Sequence, residues 1–331
     1  MASAKRGIHD RINRVSHWDV NVTNLERSRL WYEKKTTQRV VASTTASQDF
    51  PALGITRGSF KGYLLRDSTK GSGYPMIHLV EWQNPLPVGK PNLSHGHVGW
   101  YRIVPVVQSI DAAREAVMQQ ATLQLSPNMP VLDYRFFTTH DPDGIAVEFS
   151  QADILLDIVP ACPYTVAHNT ANVEKNLPFY VEVLGLNVQT SVQSPHLVPN
   201  VYSPNGGQTG LTGVFFTIRN NNSYILDWLQ WTDSPKHPTP YCEVNHVGVV
   251  RCAIEVDDVD AAYQILRELS GSPKHNFKMG EPEVWDFGQE FGARKVLNFQ
   301  DPEGVGFQLI EQPQEPQKVD LHPWGVGSEP K

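Results

Sequence analysis

Two arginines in the sequence each follow a histidine by five residues, within a longer repeated pattern. His97-Val-Gly leads to Arg102, and His246-Val-Gly leads to Arg251. An imidazole can transfer a proton near neutral pH, and a guanidinium binds carboxylates through paired hydrogen bonds. Each pair therefore predicts either an acid–base and anion-binding site or a turn that leads into a structural strand.

The two copies of this pattern belong to a repeat that extends over most of the chain. The other matching landmarks are Trp31-Tyr32 with Phe179-Tyr180, Trp82 with Trp231, and Asp141-Pro-Asp-Gly with Asp301-Pro-Glu-Gly. The first two pairs are separated by 148 and 149 positions and the last pair by 160, which implies an insertion of about a dozen residues between 263 and 300. Landmarks that recur in the same order predict two similar domains.

The repeat predicts the domain boundaries. We expect a first domain at 12–151 and a second at 152–312, preceded by a flexible arm at 1–11 and followed by a Pro-rich tail at 313–331. A chain of 331 residues with 40% hydrophobic residues and eight tryptophans is long enough for two ordinary cores.

Charge and cysteine content exclude several classes of function. A net charge of −7 without a long basic run argues against a nucleic-acid surface. The apolar runs are too short for a membrane span, and the N-terminus lacks the apolar segment of a signal peptide. Three cysteines without metal-binding spacing are typical of a reducing compartment, so we expect a cytoplasmic protein.

The local patterns predict the same elements in each half. Alternating apolar and polar residues predict strands, for example at 15–22. Helices are predicted to start at four capping residues, which are Asn24, Ser109, Asn172 and Asp258. Each Asp-Pro-x-Gly turn is predicted to join two strands of a hairpin. Together, the predicted strands and helices follow the order βαβββ twice in each half. Residues 190–213 are rich in Pro, Asn and Gly and predict a long loop.

These motifs resemble the vicinal oxygen chelate superfamily, which includes glyoxalase I, the bleomycin-resistance proteins and the extradiol dioxygenases. The resemblance is carried by His17 ahead of the segment 24–32, by the segment 173–186 and by the two Asp-Pro-x-Gly turns. It covers about residues 14–312. It implies an α+β fold of tandem paired βαβββ modules, in which each domain is an open eight-stranded mixed sheet around a cleft.

The resemblance also implies a set of site residues, because the family places its metal ligands on inward positions of the first and last strands of each module. The matching positions in the first domain are His17, His78, Arg102 and Glu148, and those in the second are Thr165, Asp227, Arg251 and Gln308. It follows that His17, His78 and Glu148 would hold a divalent metal. Fe(II) is favoured, and Mn, Ni, Co or Zn would also suit three such ligands.

The remaining positions are expected to serve the substrate or the fold. Arg102 stays protonated and cannot ligate a metal, so we expect it to bind a substrate carboxylate or to pair with Glu148. Tyr134 is a weaker catalytic candidate. In the second domain, Thr165, Arg251 and Gln308 are poor metal ligands, which predicts a single active cleft. For that reason we favour the structural interpretation of His97 and His246.

The resemblance leaves several functions open. The first is a metal-dependent enzyme, leaning towards a dioxygenase, that acts on a small oxygenated, aromatic or polyketide-like molecule. Family members of that type usually keep their metal in the second domain and carry histidine at the position of Arg102, which weakens the expectation. The alternatives are a glyoxalase- or epimerase-type lyase or isomerase, with or without metal, and a metal-free binding or resistance protein. We expect a small-molecule partner, neither nucleic acid nor membrane, and an assembly compatible with a homodimer.

Overall fold

The computed structural model describes residues 7–68, 74–92, 96–117, 124–125, 134–152, 164–199, 208–218, 221–232, 240–241 and 243–312. The helices are α1 (Leu25–Lys35), α2 (Ile110–Val117), α3 (Val173–Pro178) and α4 (Val259–Ser270), with a 3₁₀ turn at Pro51–Leu53 and a π-helical turn at Phe179–Val183. The strands are β1 (Ile12–Asn21), β2 (Gln38–Phe50), β3 (Ile55–Asp67), β4 (Met76–Asn84), β5 (Gly99–Pro105), β6 (Gln124–Leu125), β7 (Tyr134–His140), β8 (Ala146–Ala152), β9 (Tyr164–Asn169), β10 (Asn187–Pro199), β11 (Gln208–Ile218), β12 (Asn221–Trp231), β13 (Gly248–Val256), β14 (Lys278–Met279), β15 (Glu283–Asp286), β16 (Ala293–Gln300) and β17 (Gly306–Glu311).

The helices begin where the sequence predicts them. The side chains of Asn24, Asn172 and Asp258 each accept a backbone N–H three residues further on, at 2.9, 2.8 and 2.9 Å. Ser109 Oγ accepts the N–H of Ala112 at 3.2 Å. Each bond satisfies an N–H group that has no partner inside its own helix, which is why these residue types mark helix starts.

The described strands form two mixed sheets. The first sheet has the order β14-β16-β17-β13-β1-β4-β3-β2, with β15 paired to β16, and the second sheet has the order β10-β11-β12-β9-β5-β8-β7-β6. Both combine parallel and antiparallel neighbours; β1, for instance, runs parallel to β4 and antiparallel to β13. The predicted α+β fold of paired βαβββ modules is confirmed.

Each sheet draws one module from each half of the sequence. We number the modules by their strands: module 1 holds β1–β4, module 2 holds β5–β8, module 3 holds β9–β12, and module 4 holds β13–β17. The first sheet joins modules 1 and 4 through β1 and β13, and the second joins modules 2 and 3 through β5 and β9. Each half of the sequence was expected to form its own sheet, but each observed sheet combines one module from each half. The domain boundaries themselves stay a prediction.

The two modules of one half are connected through the Asp-Pro-x-Gly turns. Tyr32 on α1 donates to Asp141 in module 2 at 3.4 Å, and Tyr180 in module 3 donates to Asp301 in module 4 at 2.7 Å. Both carboxylates also accept backbone N–H groups of their own turns. Burial raises the pKa of each carboxyl to about 7. The repeated Tyr and Asp landmarks are therefore one structural contact that occurs twice.

The insertion in the second half packs against the face of the first sheet that carries Phe60, Trp82 and Ala253, which we call its inner face. The inserted region contributes β15 and the aromatic residues Trp285, Phe287 and Phe291, which pack with Phe50, Phe60 and Trp82 of module 1. The N–H of Thr45 on β2 donates to the carbonyl of Phe287 at 3.0 Å. This contact brings the β2 edge of the sheet to the inserted segment, so the segment covers the cleft.

Two local expectations need correction. The segment 190–213 is predicted to be a loop, but its described residues belong to β10 and β11, which pair antiparallel from Asn187 to Pro199. Hydrogen bonds between the two strands outweigh the turn-rich composition. The arm at 1–11 is not loose over its described residues, because Ile8 is fully buried and its N–H donates to the carbonyl of Val183 at 2.9 Å.

Three further expectations concern membrane-spanning helices, the cysteines and the two ends of the chain. Among the described residues, none of the helices has the length and apolarity that crossing a membrane requires. Cys252 is buried with a free thiol. Cys162, Cys242, the first six residues of the arm and the tail at 313–331 lie outside the described residues.

Candidate metal centre

A row of charged and polar side chains crosses the middle of the first sheet. Asp19 on β1 lies directly opposite His78 on β4 and opposite Arg251 on β13. His17 lies two residues before Asp19 on the same strand, which places both side chains on one face. The residues that alternate with them, Trp18 and Val20, belong to the main hydrophobic core. The charged row therefore faces the side that the insertion covers.

The row gathers two imidazoles around one carboxylate. His78 Nδ1 lies 2.7 Å from Asp19 Oδ1, and His17 Nε2 lies 3.5 Å from the same oxygen. One ligand atom from each of the three residues lies within 4.8 Å of the other two, and all three residues are buried. Nitrogen and oxygen donors so arranged can hold a first-row divalent metal.

Each histidine has one ring nitrogen held by a hydroxyl group and the other facing Asp19. Ser16 Oγ lies 3.0 Å from His17 Nδ1, and Thr44 Oγ1 lies 2.7 Å from His78 Nε2. Within the described residues, His17 Nε2 has no hydrogen-bond partner although it is buried. Metal-binding histidines usually have their second nitrogen bonded in this way, because the bond sets the tautomer and the orientation of the ring. The donor set therefore fits a metal.

Burial and charge set the protonation states that a metal requires. Desolvation lowers the pKa of His17 to about 3, so its imidazole is neutral near pH 7. Burial alone would raise the pKa of Asp19, but Arg251 and the hydrogen bond to His78 lower it well below its ordinary value. A neutral imidazole and an ionised carboxylate are the forms that ligate metals.

Arg251 occupies the other side of Asp19. Its Nε donates to Asp19 Oδ2 at 2.6 Å and its Nη1 donates to Asn298 Oδ1 at 2.9 Å. The guanidinium carbon lies 4.9 Å from the ring centre of Trp285. Gln308 Nε2 donates to the same Asn298 oxygen at 3.1 Å. Arg251 thus uses one oxygen of Asp19 and leaves the other oriented towards the histidines.

The insertion covers the cluster from above. The ring of Phe287 lies 6.3 Å from that of His78, and the ring of Phe291 lies 6.3 Å from that of His17, measured between ring centres. A pocket of about 320 Å³ lies beside the cluster. Its lining includes Arg251, Asn298, Lys278 and Tyr241. Arg251 therefore borders the pocket and also bonds to Asp19 of the cluster.

The structure does not bring together all the residues that the resemblance implies. His17 and His78 meet in the first sheet, but Glu148 and Arg102 lie in the second, where Arg102 Nε is 3.4 Å from Glu148 Oε2. The reason is the pairing of modules 1 and 4. Asp19 occupies the position next to the histidines where Glu148 was expected. The His-x-Asp spacing on one strand was the signal for Asp19, since residues two apart share a face.

The other candidates have separate locations. Tyr134 is the first residue of β7, in the second sheet, and its side chain lies outside the described part of the structure. Catalytic roles for Arg102 and Tyr134 stay predictions. His97 and His246 both pack against the Tyr241 ring, at 4.6 and 3.9 Å between ring centres. This stack is a packing arrangement between the two halves of the chain.

Comparison with known proteins agrees with this fold. The Glyoxalase/Bleomycin resistance protein/Dioxygenase superfamily matches residues 165–309. A mutant glyoxalase I from Zea mays is 15% identical, with 92% of this chain and 94% of that chain covered and a TM-score of 0.63. Glyoxalase I from the same organism has 14% identity, coverage of 90% and 92% and a TM-score of 0.59. A putative dioxygenase from Bacillus subtilis subsp. subtilis str. 168 has 11% identity, coverage of 92% and 86% and a TM-score of 0.54.

These structural similarities, at low identity, concern the fold alone. No curated protein sequence matches the chain significantly. The family match and the two sheets of paired βαβββ modules together confirm the resemblance predicted from the repeated motifs. Residues 165–309 thus match this superfamily, and the chain as a whole resembles its members in fold.

Proposed function

We propose that the protein is a metal-dependent enzyme that acts on a small oxygenated organic molecule, with the metal held by His17, Asp19 and His78. One observation carries the proposal. Two buried imidazoles are each held by a hydroxyl group at one nitrogen, while the other nitrogen faces a single carboxylate oxygen. Three protein ligands leave coordination positions open for a substrate.

The donor types support the dioxygenase interpretation. Two histidines and one carboxylate are the set that non-haem Fe(II) oxygenases use, and Mn, Ni, Co and Zn accept the same donors. A divalent metal in such a set supplies Lewis-acid activation of a substrate oxygen. A lyase or isomerase that works through an enolate would use the same activation. The dioxygenase interpretation is therefore supported by the types of the three ligands and by no other feature of the site.

The chain's own residues would position the substrate. Arg251 borders the pocket and keeps part of its guanidinium near Asp19, so an anionic or enolate oxygen that enters from the pocket would meet a fixed positive charge. Phe287 and Phe291 would exclude water from the histidine side of the cluster. The pocket itself is lined by both polar and apolar residues, including Lys278, Met279 and Phe299, which suits a small molecule with an apolar body and oxygen groups.

A metal-free binding protein is the second candidate, and one observation favours it. Asp19 is already compensated without a metal, because Arg251 pairs with one of its oxygens and His78 bonds to the other. In that case the row would be a structural hydrogen-bond network, and the pocket would bind a ligand without turnover. The homodimer expected from the sequence is independent of this choice and stays a prediction.

Metal content of the purified protein tests the proposal. After anaerobic loading with Fe(II) and gel filtration, we expect about one metal ion per chain in the wild type, and loss of that ion in His17→Ala and Asp19→Asn. The matched control is Glu148→Gln, which changes a buried carboxylate of the second sheet. Glu148→Gln should keep the metal; a wild type that binds none, or a Glu148→Gln variant that loses it, would contradict the assignment.

A further inference from the structure

The second sheet carries its own group of buried charges, separate from the histidine cluster. Arg102 on β5, Glu148 on β8 and Asp227 on β12 are 4%, 3% and 7% exposed. The residues that alternate with them, including Ile103 and Val147, belong to the main hydrophobic core. The three charged side chains therefore point to the opposite face, which we call the inner face of the second sheet.

The strand register brings these charges into one row. Asp227 and Arg102 both lie opposite Ala167 on β9, one on each side of it. Arg102 also lies opposite Ala146, two residues before Glu148 on β8. Directly opposite residues share a face of a sheet. The side chain between Asp227 and Arg102 is therefore only the methyl group of Ala167, which is fully buried.

This row is not a second copy of the metal cluster. At the offset of the repeat, Ala167 corresponds to Asp19 and Asp227 corresponds to His78. The second sheet therefore has neither the central carboxylate nor the imidazole at these positions. Among the described residues, its row consists of two carboxylates and one guanidinium.

Asp227 is the less compensated of the two carboxylates. Within the described residues, no hydrogen-bond donor reaches its Oδ1. Burial raises the pKa of Asp227 to about 7, Arg102 opposes that rise, and Glu148 adds to it. Arg102 is already near Glu148, with 3.4 Å between Nε and Oε2. A buried carboxylate oxygen without a donor is costly, so a hydrogen-bond donor or a cation that reaches this oxygen would reduce that cost.

An apolar cluster lies on the same inner face. It consists of Val104, Phe136, Ala167, Leu211, Leu229 and Trp231. Leu229 lies two residues from Asp227 on β12, and Trp231 follows two residues later, so an apolar wall continues from the carboxylate along the same strand. The Trp231 indole N–H donates to Asn169 Oδ1 at 3.0 Å, which fixes its ring.

We propose that the inner face of the second sheet binds a small organic cation, namely a primary ammonium group on an aromatic or apolar body. The ammonium would donate to Asp227 Oδ1, next to the small side chain of Ala167. The body would pack against Leu229 and Trp231. This site is independent of the proposed metal and its residues.

Calorimetric titration with three probes of similar size tests the site, because they differ mainly in charge. We expect 2-phenylethylammonium to saturate one site per chain, and the neutral 2-phenylethanol and the anionic 3-phenylpropionate to bind at least about tenfold more weakly. Asp227→Asn should lower the affinity for the amine at least about tenfold. Glu148→Gln should also lower it, because Arg102 is then able to compensate Asp227.

Two controls distinguish binding at Asp227 from a general effect of protein charge and from binding at the metal cluster. Asp111→Asn removes an exposed carboxylate of the same domain and should leave amine affinity unchanged. His17→Ala should also leave it unchanged, and Asp227→Asn should leave metal content unchanged, so this site and the metal site can fail independently. Thermal melts check that each variant folds, and Asp227→Asn should melt no lower than the wild type.

Three results would overturn the proposal. The first is equal affinity of the wild type for the amine and the alcohol, a comparison that needs no variant. The second is unchanged amine affinity in a folded Asp227→Asn. The third is failure of the amine to saturate the wild type below about 10 mM.

Discussion

Replacing Arg251 by methionine should weaken the fold and strengthen metal binding at the same time. Arg251 and Asp19 form a buried pair, with side chains 10% and 3% exposed and 2.6 Å between charged atoms. Methionine keeps much of the apolar length of the side chain but removes the charge. Asp19 would then be a buried carboxylate whose nearest cation is gone.

The size of the destabilisation follows from the burial of the pair. Removing one partner of a buried ion pair costs about 3–5 kcal/mol, because the remaining charge stays in a poorly solvated place. Arg251→Met also loses the bond to Asn298 and the contact with Trp285, which places the expected cost towards the upper end. At roughly 2 °C per kcal/mol, the melting temperature of the metal-free protein should fall by about 6–10 °C.

Metal affinity should move in the opposite direction. Two unit charges 4 Å apart interact by about 4 kcal/mol at an effective dielectric constant of about 20. If the cation at Asp19 is removed and a third to a half of that energy becomes available to a metal, the affinity rises by about tenfold or more. Metal should therefore raise the melting temperature of Arg251→Met by more than that of the wild type.

The assay is thermal unfolding with and without Co(II), together with direct titration of Co(II) by its absorbance. The double variant Asp19→Asn/Arg251→Met is the matched control. It removes both charges, so it should recover most of the lost stability and bind no metal. A fall in metal affinity in Arg251→Met would refute the reasoning, since it would mean that Arg251 holds the ligands in place rather than competing for Asp19. A double variant as unstable as the single one would refute it too.

Three further outcomes follow from other contacts. Gly62→Ala should lower both metal affinity and melting temperature, because a Cβ there would lie 2.7 Å from His78 Nε2; unchanged metal titration would contradict this. Phe291→Ala should speed metal removal by a chelator, since its ring covers His17, while the exposed Val284→Ala should not; equal rates would show that the insertion does not limit access. The pKa of Asp301 is raised to about 7 in the folded protein, whereas in the unfolded chain it is near 4. Between these two values the folded state holds a proton that the unfolded state has released. The stability that Asp301 contributes is therefore lost as pH rises from about 4 to 7. Asp301→Asn should therefore show a smaller loss of unfolding free energy between pH 5 and 8 than the wild type in urea titrations; identical pH profiles would contradict the shift.

Local chemistry made the helix starts and the repeat predictable from the sequence. Asn24, Asn172 and Asp258 cap helices through bonds to residues only three positions away, so their effect does not depend on the rest of the fold. The insertion was visible as a change of offset between the two halves. These signals are contained in short segments of the chain.

The pairing of modules was not predictable in the same way. All four modules share one pattern of strands, so nothing local distinguishes the partner of β1 among them. The observed partner is β13, whose residues lie more than two hundred positions away in the sequence. The expected set of His17, His78 and Glu148 depended on a pairing of modules 1 and 2. In the structure module 1 pairs with module 4 instead, so Glu148 lies in a different sheet from the two histidines.

The two sheets show how one repeated framework can carry two different chemistries. Position for position, Asp19 is replaced by Ala167 and His78 by Asp227. The first sheet therefore gathers imidazoles around a carboxylate, whereas the second leaves Asp227 Oδ1 without a hydrogen-bond donor among the described residues. The insertion adds a second difference, because its aromatic residues cover the inner face of the first sheet. Since the backbone framework is shared, these side chains and this cover, rather than the fold, determine what each inner face can bind.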